Sequence, residues 1–143
     1  MFDDFEKANA FNETFQKFLT IDNNLPFNCT KPRSRMPLFT IQPDDILKAC
    51  SMKPKLSRTP EGIPSMFIAN TISSLVYPLS ILFNTSLFSN LIPSQWKLAF
   101  ITPVFKKGDR QNVGNYRPIS LTSSISRLFE AVLLSKLVPC VLK

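Results

Sequence analysis

Four cations stand close together between residues 106 and 117: Lys106, Lys107, Arg110 and Arg117. Such groups neutralise anions, and the planar fork of an arginine can grip two oxygens of one phosphate or carboxylate. A second basic stretch holds Lys53, Lys55 and Arg58, punctuated by Pro54 and Pro60. Acid–base and nucleophilic chemistry are poorly supplied by comparison. The chain has no histidine, which removes every Ser–His and Cys–His pair. Its three cysteines, Cys29, Cys50 and Cys140, lie far apart. They make neither a metal-ligand pattern nor a disulfide framework, and read as free thiols of an intracellular protein. Outside the N-terminus the only adjacent acids are Asp44 and Asp45. A catalytic pair of metal ions about 3.5–4 Å apart needs converging carboxylates. Asp44 and Asp45 sit instead where a helix begins, and capping is their expected role.

Each cation also has a plainer reading. A Lys-Lys-Gly-Asp turn is often simply solvated. Arg117 could pair with Asp109 or Glu130, although an arginine beside Pro118 in mid-strand suggests an anion or a partner. Lys53, Lys55 and Arg58 fit a solvated loop as well as a phosphate backbone. Trp96 is expected in the core rather than stacked on a base. Tyr116 reads the same way, with stacking as its alternative.

Charge is unevenly placed along the 143 residues, whose net charge is +7. Residues 97–143 carry eight Lys or Arg against Asp109 and Glu130, a net of +6. That basic third suggests a polyanionic partner. Residues 62–95 contain no charge at all. Pro64, Pro78 and Pro93 divide this stretch, and Ser, Thr and Asn recur through it. A membrane span needs about 20 predominantly apolar residues, so a buried helical pair is expected and no membrane association. The acidic start at Asp3 and Asp4, with no apolar run behind it, does not look like a signal peptide. An intracellular protein is expected, with nucleus or cytoplasm left open.

The elements that must position the cations follow from periodicity. Asp3 or Asp4 can cap a first helix reaching about Leu19, striped by Phe5, Ala8, Phe11, Phe15, Phe18 and Leu19. Residues 22–40 read as an irregular, Pro-bearing connector. A short helix follows Pro43. Two helices are expected within residues 64–91, the second opening at Pro78. Trp96–Phe105 reads as a covered strand, apolar on both sides, with Pro103 marking an edge or bulge. Residues 106–115 form a turn, and Tyr116–Leu121 the returning strand. Thr122 or Ser123 can cap a last helix with Ile125, Leu128, Phe129, Val132, Leu133 and Leu137 on one face, ending at Pro139. The fold class is α+β: mostly helical, with one two-stranded antiparallel hairpin.

Several segments resemble one family. Leu56-Ser57-Arg58-Thr59-Pro60-Glu61-Gly62-Ile63-Pro64 is similar to the K-S-x-G-x-D-G-I-P loop of non-LTR retrotransposon reverse transcriptases. Residues 92–109, from Ile92-Pro93 through Trp96-Lys97 to Phe105-Lys106-Lys107-Gly108-Asp109, resemble their P-x-x-W-K-x-A-x-I-x-P-I-F-K-K-G-D segment. Asn115-Tyr116-Arg117-Pro118-Ile119-Ser120-Leu121 matches N-Y-R-P-I-S-L without a mismatch. Ser126-Arg127-Leu128-Phe129-Glu130 looks like the helix that follows. Lys7–Phe15 is similar to the linker helix between endonuclease and polymerase. Glu61 departs from the usual Asp, and Pro60 replaces a variable position.

The resemblance implies a partial fingers region at residues 53–143, preceded by a helical linker region at 1–52. It implies that Lys106, Lys107 and Arg117 face a nucleoside triphosphate and the template. Lys53, Lys55, Arg58 and Arg110 are candidates for nucleic-acid contact by their charge. The implied partners are an RNA template or RNA–DNA duplex, with nucleoside triphosphate and magnesium in the intact enzyme. The family's palm, with its Y-A-D-D aspartates, would follow this region. The chain alone is therefore expected to hold no cofactor and to be inactive as a polymerase. A non-catalytic, basic nucleic-acid-binding remnant is the alternative.

Overall fold

The computed structural model describes residues 3–17, 38–50 and 59–141, with side chains to residue 139. The expected end of the first helix near Leu19, most of the 22–40 connector and the sites Lys53, Lys55 and Arg58 lie outside these residues. The described elements are α1 (Asp4–Gln16), α2 (Pro43–Ala49), α3 (Ser65–Ser89), β1 (Ala99–Phe105), β2 (Tyr116–Thr122) and α4 (Ser124–Val141). Short 3-10 turns cover Ser94–Lys97 and Val113–Asn115. The two strands pair with each other as one hairpin. The fold is thus mostly helical with a two-stranded sheet, as expected. The chain forms two compact units, one of residues 1–35 with 101–120 and the other of residues 36–100 with 121–143.

The larger unit is built on three helices. Ile41, Ile46, Ile68, Val76, Leu79, Phe83, Leu128, Phe129 and Val132 form its core. The stripe expected on the last helix supplies Leu128, Phe129 and Val132, with Ile125 and Leu133 partly buried beside them. Trp96 joins this core as expected, its ring 5.8 Å from Phe83 and 5.4 Å from Phe129. Phe83 is fully buried, and such a side chain contributes about 1.5–3 kcal/mol by burial alone.

Polar groups fix how the core helices meet. Asn84 of α3 bonds both backbone groups of Ile41: its Oδ1 accepts from the N–H at 2.9 Å, and its Nδ2 donates to the carbonyl at 2.8 Å. A side-chain amide thus acts as a short piece of sheet ladder holding the approach to α2. That helix opens at Pro43 rather than at the aspartates, with Gln42 as N-cap. Asp45 accepts from the Gln42 N–H at 2.9 Å, closing a capping box. The same carboxylate meets Lys136 of α4 at 2.8 Å, with 16% of the Asp45 side chain and 30% of the Lys136 side chain exposed. Burial pushes the Asp45 pKa up, but the Lys136 and Gln42 hydrogen bonds and the charges of Lys136 and Lys48 outweigh it, so the net shift is downward. Ser123 accepts from the Ser126 N–H at 3.2 Å, the expected cap of α4, while Pro139 lies inside that helix instead of ending it.

The uncharged stretch differs from expectation. It forms one 25-residue helix, α3, with Pro78 inside it. Its hydroxyls do not interrupt it, because four of them turn back onto the helix itself, while Ser86 donates to the Leu91 carbonyl just beyond its end. Thr71 donates to the Phe67 carbonyl, Ser80 to Tyr77, Thr85 to Ile81 and Ser89 to Thr85, all at 2.7–2.8 Å. Asn90 then ends the helix in the left-handed conformation, with φ of 56°. By length and composition α3 is apolar enough to cross a membrane. Burial is also one-sided: Ile68, Val76, Leu79 and Phe83 are inside, whereas Phe67, Tyr77, Ile81 and Phe88 are exposed.

The strand before the turn differs too. Trp96 belongs to a 3-10 turn, and the strand starts only at Ala99. Its faces are open rather than covered, Phe100 and Ile101 being about half exposed. Two strands make a ribbon with few neighbours, so alternation on both sides cannot bury both sides.

The smaller unit carries α1 and the outer part of the hairpin. Asp3 caps α1 in a capping box with Glu6. Phe15 is buried and stacks on Phe11 at 5.7 Å, while Phe5 at the start of the expected stripe is exposed. Phe11 meets the Tyr116 ring edge-on at 4.8 Å, and Tyr116 meets Phe105 at 5.4 Å. A chain of aromatic edges holds this unit, each pair contributing about 0.5–1.5 kcal/mol beyond area burial.

Candidate nucleic-acid interface

The loop between the strands is braced by its own short polar side chains. Asp109 accepts from the Gln111 N–H at 2.9 Å and Asn112 from the Gly114 N–H at 2.9 Å, two successive Asx turns. Asn115 donates through Nδ2 to the Asp109 carbonyl at 2.8 Å, and its own carbonyl accepts from Lys106 N–H at 2.8 Å. Gly108 has φ of 93°, and a Cβ there would lie 2.8 Å from the Asn115 Nδ2. Glycine is required at this point on both counts.

This frame displays the cations. Lys106, Lys107, Arg110 and Arg117 are all exposed. None of them has an ion-pair partner among the described residues, so the expected alternative of an Arg117 pair with Asp109 or Glu130 is not found there. Arg110 lies over the Phe105 ring with its guanidinium carbon 5.0 Å from the ring centre. That contact restrains a charge that would otherwise move freely. The Tyr116 hydroxyl donates to the Arg110 carbonyl at 3.0 Å, tying the same residue down through its backbone.

The four cations do not form one group. Lys106, Lys107 and Arg110 belong to the loop, whereas Arg117 is in β2. Successive strand residues point to opposite faces. Tyr116 turns toward Phe11 and Phe105, so Arg117 projects from the other face of the hairpin. A triphosphate gripped by Arg117 and a strand held by Arg110 would approach different sides.

Several contributors escaped sequence reading. Asp109, Asn112 and Asn115 brace the loop, and their recurrence at every third position beside Gly108 and Gly114 is the signal that could have shown it. Phe11 and Phe105 hold Tyr116 and Arg110, and no local pattern announces a contact over so long a sequence separation. Glu61, at the family-like loop, caps the last helix from a distance: its Oε1 accepts from the Ser124 N–H at 2.6 Å. Its Oε2 is buried without a hydrogen-bond partner among the described residues. A carboxylate at this helix N-terminus satisfies an orphan donor and meets the positive end of the helix dipole.

Comparison with known proteins gives one consistent result. The chain is 32% identical over 107 residues to the probable RNA-directed DNA polymerase from transposon BS of Drosophila melanogaster, an alignment covering 71% of this chain and 12% of that protein. The chain belongs to the non-LTR retrotransposon RNA-directed DNA polymerase family. Two further fly polymerases agree. That of transposon X-element is 36% identical over 61 residues, covering 42% of this chain and 7% of its own length. That of mobile element jockey is 35% identical over 63 residues, covering 43% and 7%. The aligned part is thus about an eighth or less of each of these polymerases. No family model matches the chain, and no solved structure matches it.

Magnesium is the metal that this polymerase family implies. The adjacent acids of α2 do not suit it. Asp45 is committed to the Gln42 N–H and to Lys136, a cation that competes with any metal. No metal-dependent step is assigned to these residues.

Proposed function

We propose that this chain is a fingers segment of a non-LTR reverse transcriptase, residues 53–143, with its helical linker region at 1–52. Its task is to hold polyanions rather than to join nucleotides. Lys106, Lys107 and Arg117 would meet the phosphates of an incoming nucleoside triphosphate, and the two lysines, exposed on the loop beside Arg110, would also reach phosphates of the template. Arg110, with Lys53, Lys55 and Arg58, would meet the template RNA or an RNA–DNA duplex. The observation that carries this reading is the braced loop, which bonds to itself through the side chains of Asp109, Asn112 and Asn115 and presents cations that have no acidic partner among the described residues. Within a family of RNA-directed polymerases, that arrangement fits phosphate binding.

The test is a salt titration of RNA binding by the folded chain. Each phosphate contact on a single strand contributes about −0.7 to the slope of log affinity against log salt. Lys106→Ala/Lys107→Ala should weaken binding to all sequences alike and flatten the slope by roughly one to two units. Equal slopes for wild type and variant would reject these lysines as phosphate contacts. Primer extension by the purified chain above a denatured control, with magnesium and all four nucleotides, would contradict the non-catalytic assignment.

A further inference from the structure

We infer that the cleft between α1 and the 106–115 loop takes one unpaired nucleobase of a single strand, and that it favours bases bearing an amino group. This rests on the nucleic-acid reading above but concerns a different feature, the base instead of the phosphates. The cleft has a volume of about 1030 Å³ and lies wholly within the smaller unit. Ligand clefts run to about 1,000 Å³, so a nucleotide with part of its flanking backbone fits.

The lining decides what goes in and which way round. Glu6, Asn9 and Glu13 line it from α1, at helical steps of three and four that put them on one face. Arg110, Gln111 and Tyr116 line it from the hairpin. Lys7 also lines the helical wall, but its ammonium is paired with Asp4 at 2.8 Å. The Glu6 and Glu13 carboxylates there repel a phosphate, and Arg110 on the opposite wall, which has no acidic partner among the described residues, attracts one. The strand's backbone therefore belongs on the Arg110 side, with the base turned toward α1.

The helical wall is rich in acceptors. One Glu6 oxygen is used by the Asp3 N–H at 3.1 Å. Neither the Glu13 carboxylate nor the Asn9 and Gln111 side-chain amides have a hydrogen-bond partner among the described residues. A carboxylate only accepts, while each amide both donates and accepts. Adenine, cytosine and guanine carry an exocyclic amino group that can donate to such a wall. Uracil has no amino group: its single N3–H donor is flanked by two carbonyl oxygens, which the carboxylates repel. Tyr116 adds an aromatic surface, held in place by its ring contacts and by its bond to the Arg110 carbonyl. Unpaired bases are read in this way, by stacking together with hydrogen bonds to their edges.

The experiment compares binding of the whole chain to short homopolymers of riboadenosine, ribocytidine and ribouridine by fluorescence anisotropy. The adenosine and cytidine strands should bind roughly 5-fold or more tightly than the uridine strand, the lower end of what one well-read base contributes. Asn9→Ala/Glu13→Ala changes two exposed helix positions and should erase this preference while leaving the salt slope intact. Lys106→Ala/Lys107→Ala should do the reverse, lowering the slope and keeping the preference. Equal affinity for the three homopolymers, or a preference that survives Asn9→Ala/Glu13→Ala, overturns the inference. If no homopolymer binds, the phosphate reading fails by itself. The cleft is then judged by titrating cytidine and uridine monophosphates and following the amide resonances of Gln111 and Gly114. Shifts with the cytidine compound alone support it, and shifts with neither or with both equally reject it.

Discussion

The two units of this chain are held together by different means. The larger buries a continuous apolar core under three helices, with Asn84, Asp45 and Glu61 each joining elements far apart in sequence. The smaller has a file of aromatic edges and a loop that bonds mainly to itself. Its charged side chains stay exposed as a result. A core excludes charge, whereas a self-braced loop can be ordered and still present cations to an anion. The unit with the weaker interior is accordingly the one that carries the candidate interface.

The largest effect should come from Phe83→Ala. Truncating a fully buried phenylalanine typically costs about 3–5 kcal/mol. Helical circular dichroism and Trp96 fluorescence should be lost together at a much lower temperature. The contrast between the units predicts that the Tyr116 ring environment, followed by NMR, changes less at temperatures below that transition. Simultaneous loss of both signals at every temperature would show one cooperative body and break the contrast.

Gly108→Ala should act in the opposite place. A residue with a Cβ in left-handed backbone costs roughly 1–2 kcal/mol, and Asn115 must also move out of the way. Amide exchange should speed up through residues 106–116 with little change in the melting of the helices. Unaltered exchange in the loop would mean that its own hydrogen bonds are not what orders it.

Asp45→Asn should have the smallest effect, about 1 kcal/mol at neutral pH, because the pair is partly exposed and asparagine keeps an acceptor for the cap. The sign in acid follows from the downward net shift of Asp45. A group whose pKa is lower in the folded state stabilises it above the unfolded pKa, and that contribution disappears as pH falls through the folded value. Wild type should therefore lose its advantage over the variant below the ordinary carboxylate range, near pH 4 and under. A stability difference that is constant from neutral pH down to pH 2 would assign the effect to something other than this charge.

Local pattern sufficed for much of the molecule. Asp3 before an acidic first turn, Ser123 before an apolar stripe, and a Gly-Asn-Asp cluster between two apolar runs each specify their element through groups a few residues apart. The basic loop and its family-like segments were legible for the same reason, since their spacing is written along the chain. Pro78 shows where this stops. Taken locally, a proline among hydroxyls reads as a helix boundary, but α3 runs on through it, buried on one face and with Thr71, Ser80, Thr85 and Ser89 donating to its own carbonyls. The open faces of β1, the separation of Arg117 from the loop cations by strand pleating, the reach of Glu61 to α4 and the α1–hairpin cleft share one property. Each depends on which distant segment lies opposite a residue, and that is decided by tertiary packing, where burial and pairing outweigh local preference.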